Sequence, residues 1–202
     1  VSSMPNGNRG FFYPSASLGF IFTELDLFQN ISALSFGKIR ASYAEVGQAA
    51  DTYNPYPVYV TGGADSGMFS DAGYSYPFNG VSGYKLSSLL YDNNLIPQNT
   101  ATIEFGVELK FLNNRLGLDY TFYKQDAKDQ IFAVPLAGST GYANNMTNAG
   151  HMQTTGHEIM LYANPVKMKN FNWDMNLNFT KSVSEVIELA EGVDNISLGG
   201  YV

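Results

Sequence analysis

Ala101-Thr102-Ile103-Glu104-Phe105-Gly106-Val107-Glu108-Leu109-Lys110-Phe111 alternates apolar and polar residues without a break. In an extended chain Ile103, Phe105, Val107, Leu109 and Phe111 share one face, and Thr102, Glu104, Gly106, Glu108 and Lys110 share the other. A helix would scatter the charges around its circumference. After Leu112, Asn113, Asn114 and Arg115 the alternation resumes, with Leu116, Leu118, Tyr120 and Phe122 set against Gly117, Asp119, Thr121 and Tyr123. Asn tolerates positive φ, so Asn113-Asn114 predicts a two-residue hairpin turn. That turn pairs Phe111 with Leu116, Leu109 with Leu118, Val107 with Tyr120 and Phe105 with Phe122, and puts both apolar sets on one side.

The same pattern recurs in both directions. Phe171, Trp173, Met175, Leu177 and Phe179 alternate with Asn172, Asp174, Asn176, Asn178 and Thr180, with a partner strand expected over 156–164 and a short turn over 165–170. Upstream, Phe12, Pro14, Ala16, Leu18, Phe20 and Phe22 alternate with Tyr13, Ser15, Ser17 and Gly19. Ile39, Ala41 and Tyr43 alternate with Lys38, Arg40 and Ser42. Between these two strands the segment 23–34 has room for a turn of helix, with Thr23 in the N-cap position.

Short links at 23–35, 112–115 and 165–170 thus alternate with long ones at 49–100 and 135–153. Strands run up and down, and all short turns fall at one end. This is the asymmetry of a membrane β-barrel, whose strands of about ten residues cross the hydrocarbon with short periplasmic turns and long extracellular loops. A soluble sheet packed on one face also alternates, although its strands usually run to about five or six residues. No run of apolar residues is long enough for a transmembrane helix. Charged residues make up 14% of the 202, against about 25% in soluble domains. Their place is taken by 20 Gly, 14 Tyr and 14 Phe together with amides and hydroxyls, a composition suited to β-structure with long loops. Lys and Arg number 11 against 18 Asp and Glu, a net charge of −7 without a basic run, which argues against nucleic acid as a partner. The absence of cysteine excludes disulfides, thiolate metal sites and Cys nucleophiles.

Several segments resemble, in order, the SusC/RagA-type TonB-linked outer-membrane transporters of Bacteroidota. Phe11-Phe12-Tyr13-Pro14-Ser15-Ala16-Ser17-Leu18-Gly19-Phe20 is similar to their FFPSxSLGW strand, and Lys38 to Gln48 to their LKLRASYGxxGN strand. Glu104 with Gly106, Asn114-Arg115-Leu116, Ser139-Thr140-Gly141, Asn148-Ala149-Gly150 and Thr155-Gly156-His157-Glu158 follow in the family's order. Phe171-Asn172-Trp173 with Asn176-Leu177-Asn178 ends the series. Departures fall at strand ends and loops: the extra Tyr13, Ala44 for Gly, Gln48 for Asn, and Gln153-Thr154-Thr155 before Gly156. The resemblance implies an all-β fold, an antiparallel up-and-down transmembrane β-barrel segment in the outer membrane. About six strands are readable here, where a barrel of this kind closes with about 22. The plug and TonB box of such transporters are expected outside residues 1–202.

Candidate sites follow from that layout. The connection over 49–100 is expected to be extracellular. Its rings Tyr53, Tyr56, Tyr59, Phe69, Tyr74, Tyr76, Phe78 and Tyr84 stand among Gly, Ser and Asn, a chemistry that stacks on sugars or peptides, on neighbouring loops or on a lid protein. A shorter extracellular loop is expected over 135–153. Glu104, Glu108, Lys110, Asp119, Glu158 and Asp174 are expected to face the lumen, where charge is solvated or meets a plug. His151 and His157, the 2 histidines, read as ordinary loop and interface residues. No P-loop, GxGxxG, HExxH or GxSxG motif is present, and neither Asp92-Asn93-Asn94 nor Asp126 to Asp129 has calcium-loop spacing. No enzyme activity, cofactor or metal is expected.

What the resemblance implies about function is TonB-dependent import of glycans or peptides. The barrel would contact outer-membrane lipid, pair with a SusD-like lipoprotein, and be driven by TonB-ExbB-ExbD through the plug. A SusC-like barrel serving as a structural or assembly scaffold is the alternative, and a barrel enzyme is a third reading without a visible catalytic set.

Overall fold

The computed structural model describes residues 3–29, 31–51, 59–61, 79–81 and 83–189. Its central hairpin is β6 (Gln98–Phe111) and β7 (Leu116–Pro135). The four expected partners hold: Phe111 opposite Leu116, Leu109 opposite Leu118, Val107 opposite Tyr120 and Phe105 opposite Phe122. The turn is wider than Asn113-Asn114 alone, because Leu112, Asn113 and Asn114 all take left-handed φ of 53°, 53° and 63°. A left-handed Leu costs about 1 kcal/mol. Here the Leu112 N–H is held by the Ala33 carbonyl at 2.9 Å, and the Arg115 N–H closes the turn on the Phe111 carbonyl at 3.0 Å.

Upstream lie β1 (Ser15–Ile21) and β2 (Leu34–Gln48), then β3 (Tyr59–Thr61), β4 (Tyr84–Leu86) and β5 (Leu89–Tyr91); downstream come β8 (Asn144–Lys167) and β9 (Asn172–Leu189). Among the described residues β1, β2, β6, β7, β8 and β9 form one antiparallel meander, and β5 joins it parallel to β8. The link 22–33 holds a 3-10 turn at Phe22–Glu24 and the single turn α1 (Asp26–Gln29). Thr23 is not the N-cap there. Its hydroxyl instead accepts the Gly37 N–H at 3.2 Å, tying the link to β2. The β8–β9 turn closes with the Met168 N–H on the Phe171 carbonyl at 2.8 Å. A bulge precedes it between Ala163 and Val166, where Pro165 has no N–H to give to the ladder.

Two boundaries differ from the sequence expectation. The β7–β8 connection is 136–143 rather than 135–153, because Asn144 to Thr155 is strand, paired to β7 through bulges near Gln130. That stretch has apolar residues only at Met146, Ala149 and Met152, three apart, and so lacks the period-two hydropathy signal of a strand, while its backbone groups still need partners. The strands are also longer than ten residues, at 14 in β6, 20 in β7 and 24 in β8. They pass beyond the depth that a bilayer requires.

The two faces of the sheet are chemically distinct. Leu18, Phe20, Ile39, Val107, Leu109, Leu118, Leu161, Trp173, Met175, Leu177 and Phe179 share one face by register. Leu18 is 74% exposed and Leu177 64%. A soluble sheet buries such a face under a second layer; among the described residues nothing covers this one, and the buried apolar residues are only Met4, Leu95 and Ala149. On β6 the apolar run from Ile103 to Phe111 rises about 27 Å along the strand, or about 21 Å along a bilayer normal at a tilt of about 40°. That depth is close to the apolar band of a membrane barrel.

Candidate functional site: the polar face and the long connection

Register places all six singled-out charges, Glu104, Glu108, Lys110, Asp119, Glu158 and Asp174, on the face opposite the apolar one. Their organiser is Arg40, which the sequence placed on this face without marking it as a site. From β2 its guanidinium crosses β6 and grips Asp119 on β7 with two hydrogen bonds, Nη1 to Oδ2 at 3.0 Å and Nη2 to Oδ1 at 2.8 Å. Nη2 also donates to the Thr121 hydroxyl at 2.6 Å, and Glu104 lies 3.8 Å from Nε. The crossing is open because residue 106 is Gly; a Cβ there would run into Nε, Cζ and Cγ of Arg40. Three strands are thereby tied across their polar face by a planar fork that matches a carboxylate.

Toward the short-turn end, Lys110 pairs with Glu108 at 3.0 Å and lies 4.9 Å from the centre of the Phe36 ring. Asp174 accepts from the Tyr162 hydroxyl at 2.9 Å and from Asn164 Nδ2 at 2.5 Å, and also from Asn172. Asn164, buried in the bulge, donates in addition to Asn172 Oδ1 at 2.8 Å. Glu158 is exposed on the same face.

The apolar face is not free of polar contacts. Tyr120, which the alternation puts on that face, has its hydroxyl 2.9 Å from His157 Nδ1, and the His157 ring lies 5.3 Å from that of Phe122. His157 sits on β8 as expected of 156–164, and His151 sits on the same strand rather than in a loop. His151 lies 3.3 Å from Asp126, which also accepts from Gln153 at 2.8 Å.

Of the ring residues in the connection, Tyr53, Tyr56, Phe69, Tyr74, Tyr76 and Phe78 lie outside the described residues. Tyr59 and Tyr84 fall on the ribbon of β3 and β4, where Thr61 pairs with Tyr84 and Tyr59 with Leu86. The register sets the two tyrosines diagonally on one face of the ribbon. Both are exposed.

The connection returns to the sheet through β5. Leu89 to Tyr91 pair in parallel with Asn144 to Met146, and the Asp92 N–H continues to the Met146 carbonyl at 3.0 Å. Asp92 accepts from the Thr147 hydroxyl at 3.0 Å and from the Asn94 N–H at 2.8 Å. The Asn148 amide then acts as a strand partner for Ile96, accepting its N–H at 2.9 Å and donating to its carbonyl at 2.8 Å, with a further donation to the Asp129 carbonyl at 2.7 Å. Asn8 holds the Leu95 carbonyl at 3.0 Å, and Leu95 is fully buried. Burial, with Asp51 adding to it, pushes the Tyr91 phenol above its ordinary pKa. Sequence spacing gave no sign of this anchor, although Asn148 was among the residues of the resemblance. Asn148→Ala is expected to speed amide exchange at Ile96 by about tenfold, the equivalent of a net hydrogen-bond worth of about 1.4 kcal/mol. Unchanged exchange measured residue by residue would show that Asn148 is not what holds the segment.

Residues 2–200 match the family described as TonB dependent receptor-like, beta-barrel. The chain is 28% identical over 199 residues to TonB-dependent receptor SusC of Bacteroides thetaiotaomicron, covering 96% of this chain and 19% of that protein. It is 27% identical over 193 residues to TonB-dependent receptor P39 of Formosa agariphila, covering 94% of this chain and 17% of the relative. The chain therefore spans about a fifth of the length of these relatives. Among solved structures, the RagAB peptide importer in its closed-closed state superposes over 98% of this chain and 20% of its own, with a TM-score of 0.79 at 21% identity. Such proteins are receptors and transporters, not enzymes. A two-faced antiparallel sheet in the register given above, matched over nearly its whole length, makes this chain a member of the TonB-dependent receptor β-barrel family and its sheet a stretch of outer-membrane barrel wall.

Proposed function

We propose that the sheet is part of the wall of a TonB-dependent importer, with its apolar face toward lipid and its polar face, crossed by the Arg40–Asp119 pair, toward the lumen. The observation that carries this reading is the coincidence of two asymmetries. One face is apolar and, among the described residues, uncovered, and the tight turns at 112–115 and 168–171 lie at the end opposite the long connection 49–97. In this orientation the 49–97 and 136–143 connections are extracellular, and the rings between 53 and 84 contribute contacts to ligand or to a SusD-like lid lipoprotein. The cargo is glycan or peptide, and TonB-ExbB-ExbD supplies the drive through a plug. Resemblance to SusC-type transporters supports the lid and the glycan class, and a peptide importer among the structural neighbours supports the peptide class.

Orientation is tested with single cysteines in the intact protein, to which this segment contributes none of its own. Ala137→Cys, in the β7–β8 connection, is expected to react with a membrane-impermeant maleimide on whole cells. Lys169→Cys, in the β8–β9 turn, is expected to react only after the outer membrane is opened. The reverse pattern would invert the reading.

A further inference from the structure

On the polar face, close to the 112–115 turn, the wall has a hollow. It measures about 380 Å³ and lies over Gly117, where β7 has no side chain, between Lys110 on β6 and Tyr162 on β8. Asp119 and Met160 form the row beside it. Both carboxylates at its edge are engaged, Glu108 by Lys110 at 3.0 Å and Asp119 by the two bonds from Arg40. Met160, by contrast, is an apolar side chain 51% exposed between Asp119 and Asn178. Beyond it β9 sets Asn176, Asn178 and Thr180 in register with Tyr162, Met160 and Glu158. These three β9 residues are exposed and make no side-chain hydrogen bond among the described residues. The same column is tied at both ends, Asp174 to the Tyr162 hydroxyl and Ser184 to Thr154.

We infer that the hollow is a subsite for one apolar side chain of a peptide in transit, whose backbone runs along the ladder of Asn176, Asn178 and Thr180. Positions two apart on a strand stand about 6.8 Å from each other, and an extended peptide turns an N–H and a C=O to each edge at the same interval. Amides and hydroxyls both donate and accept, so each rung meets either backbone group whatever the peptide's sequence. Neighbouring strands are about 4.8 Å apart, so a long side chain that starts above β8 passes Met160 and reaches the floor at Gly117. There the thioether and the Tyr162 ring offer apolar contact, and the Lys110–Glu108 pair leaves no unmatched charge. A sugar suits this place less well. The carboxylates that would accept its hydroxyls are held by Lys110 and Arg40, and a thioether gives a hydroxyl little to bond to.

The inference rests on the importer reading, with this face toward the lumen, and names one cargo class and one contact near the inner end of the passage. The test uses the intact importer in cells with and without TonB. The cells receive a proteolytic digest of casein or a mixture of maltooligosaccharides, and loss of each component from the medium is followed by mass spectrometry. Gly117→Leu fills the hollow; the Cβ it adds would meet the Tyr162 Cβ at 3.4 Å, an ordinary contact. It is expected to slow TonB-dependent uptake of peptides with large apolar side chains about tenfold, while peptides without them keep their rate. Met160→Ala, a change at an exposed position, widens the hollow and should shift the preference toward larger rings. Heat-modifiable gel mobility confirms that both variants are folded. Unchanged preference in both would overturn the subsite. Equal slowing of every peptide by Gly117→Leu would also overturn it, and accompanying entry of vancomycin would mark the hollow as a seat for the plug. Slowed oligosaccharide uptake with unchanged peptide uptake would assign it to a glycan. If wild-type cells take up neither mixture in a TonB-dependent way, the importer reading itself fails, whereas TonB-dependent peptide uptake with unchanged preference defeats this subsite alone.

Discussion

Val107→Arg is expected to destabilise the inserted barrel by about 2–4 kcal/mol, the cost of a cation near the middle of the lipid face of a barrel. Val107 lies midway along the apolar run of β6, between Phe105 and Leu109, and faces Tyr120 across the hairpin. Among the described residues an arginine there has no carboxylate beside it on its own face: its row is Ile39, Tyr120 and Ile159, and the rows flanking it hold Phe105 with Phe122 and Leu109 with Leu118. Glu108→Arg, one residue away, points to the other face. It forfeits the 3.0 Å pair with Lys110 and sets two cations side by side, an effect of well under 1 kcal/mol in a wet lumen. The difference is read from urea titrations of folding into lipid vesicles, with heat-modifiable gel mobility marking the folded form. Equal destabilisation by the two variants would mean that the faces are not partitioned between lipid and water.

Gly106→Val is expected to cost about 1–3 kcal/mol for a different reason. The Arg40 side chain passes over residue 106 on its way to Asp119, and the new side chain would occupy its path. Arg40 must then swing aside, losing two charge-assisted hydrogen bonds to Asp119 and leaving that carboxylate on a half-buried wall without its partner. The mechanism predicts non-additivity. In an Arg40→Ser background the path is empty, so Gly106→Val should cost much less than it does alone. The same urea titration reads the cycle, and an undiminished cost in the Arg40→Ser background would assign the effect to the backbone of β6 instead.

The central hairpin was legible in the sequence because two independent signals fixed one register: an unbroken alternation and an Asn-Asn turn. The faces of β9 were legible for the same reason. The first half of β8 was not, since the apolar residues of 144–155, Met146, Ala149 and Met152, fall three apart rather than two, and only its ladder with β7 makes it a strand. Arg40 was assigned to its face by parity, but its grip on Asp119 spans three strands and depends on a missing side chain at position 106. Pairwise reading of one hairpin does not reach that far. Nor does it reach β5, three residues of a long connection that pair in parallel with a distant strand. The contact of Tyr120 with His157 escaped notice because the two were read singly, one on the apolar face of its hairpin and the other as an ordinary interface histidine.

The anchoring of that connection on β8 has a kinetic consequence. The β2–β6 ladder already closes the connection across 50 positions or more, from Gln48 to Gln98 onward, and Asp92 then meets Thr147 across 55 positions. Closing a loop of that size gains nothing until the β7–β8 hairpin exists to receive it, since Thr147 and Asn148 lie on its second arm. The wall is therefore expected to assemble first and the connection to dock last, so that the sheet can be complete while the 92–96 segment is still unattached. Maturation would then have two phases, a fast one in which the strands become protease-resistant and a slow one in which the 92–96 segment does.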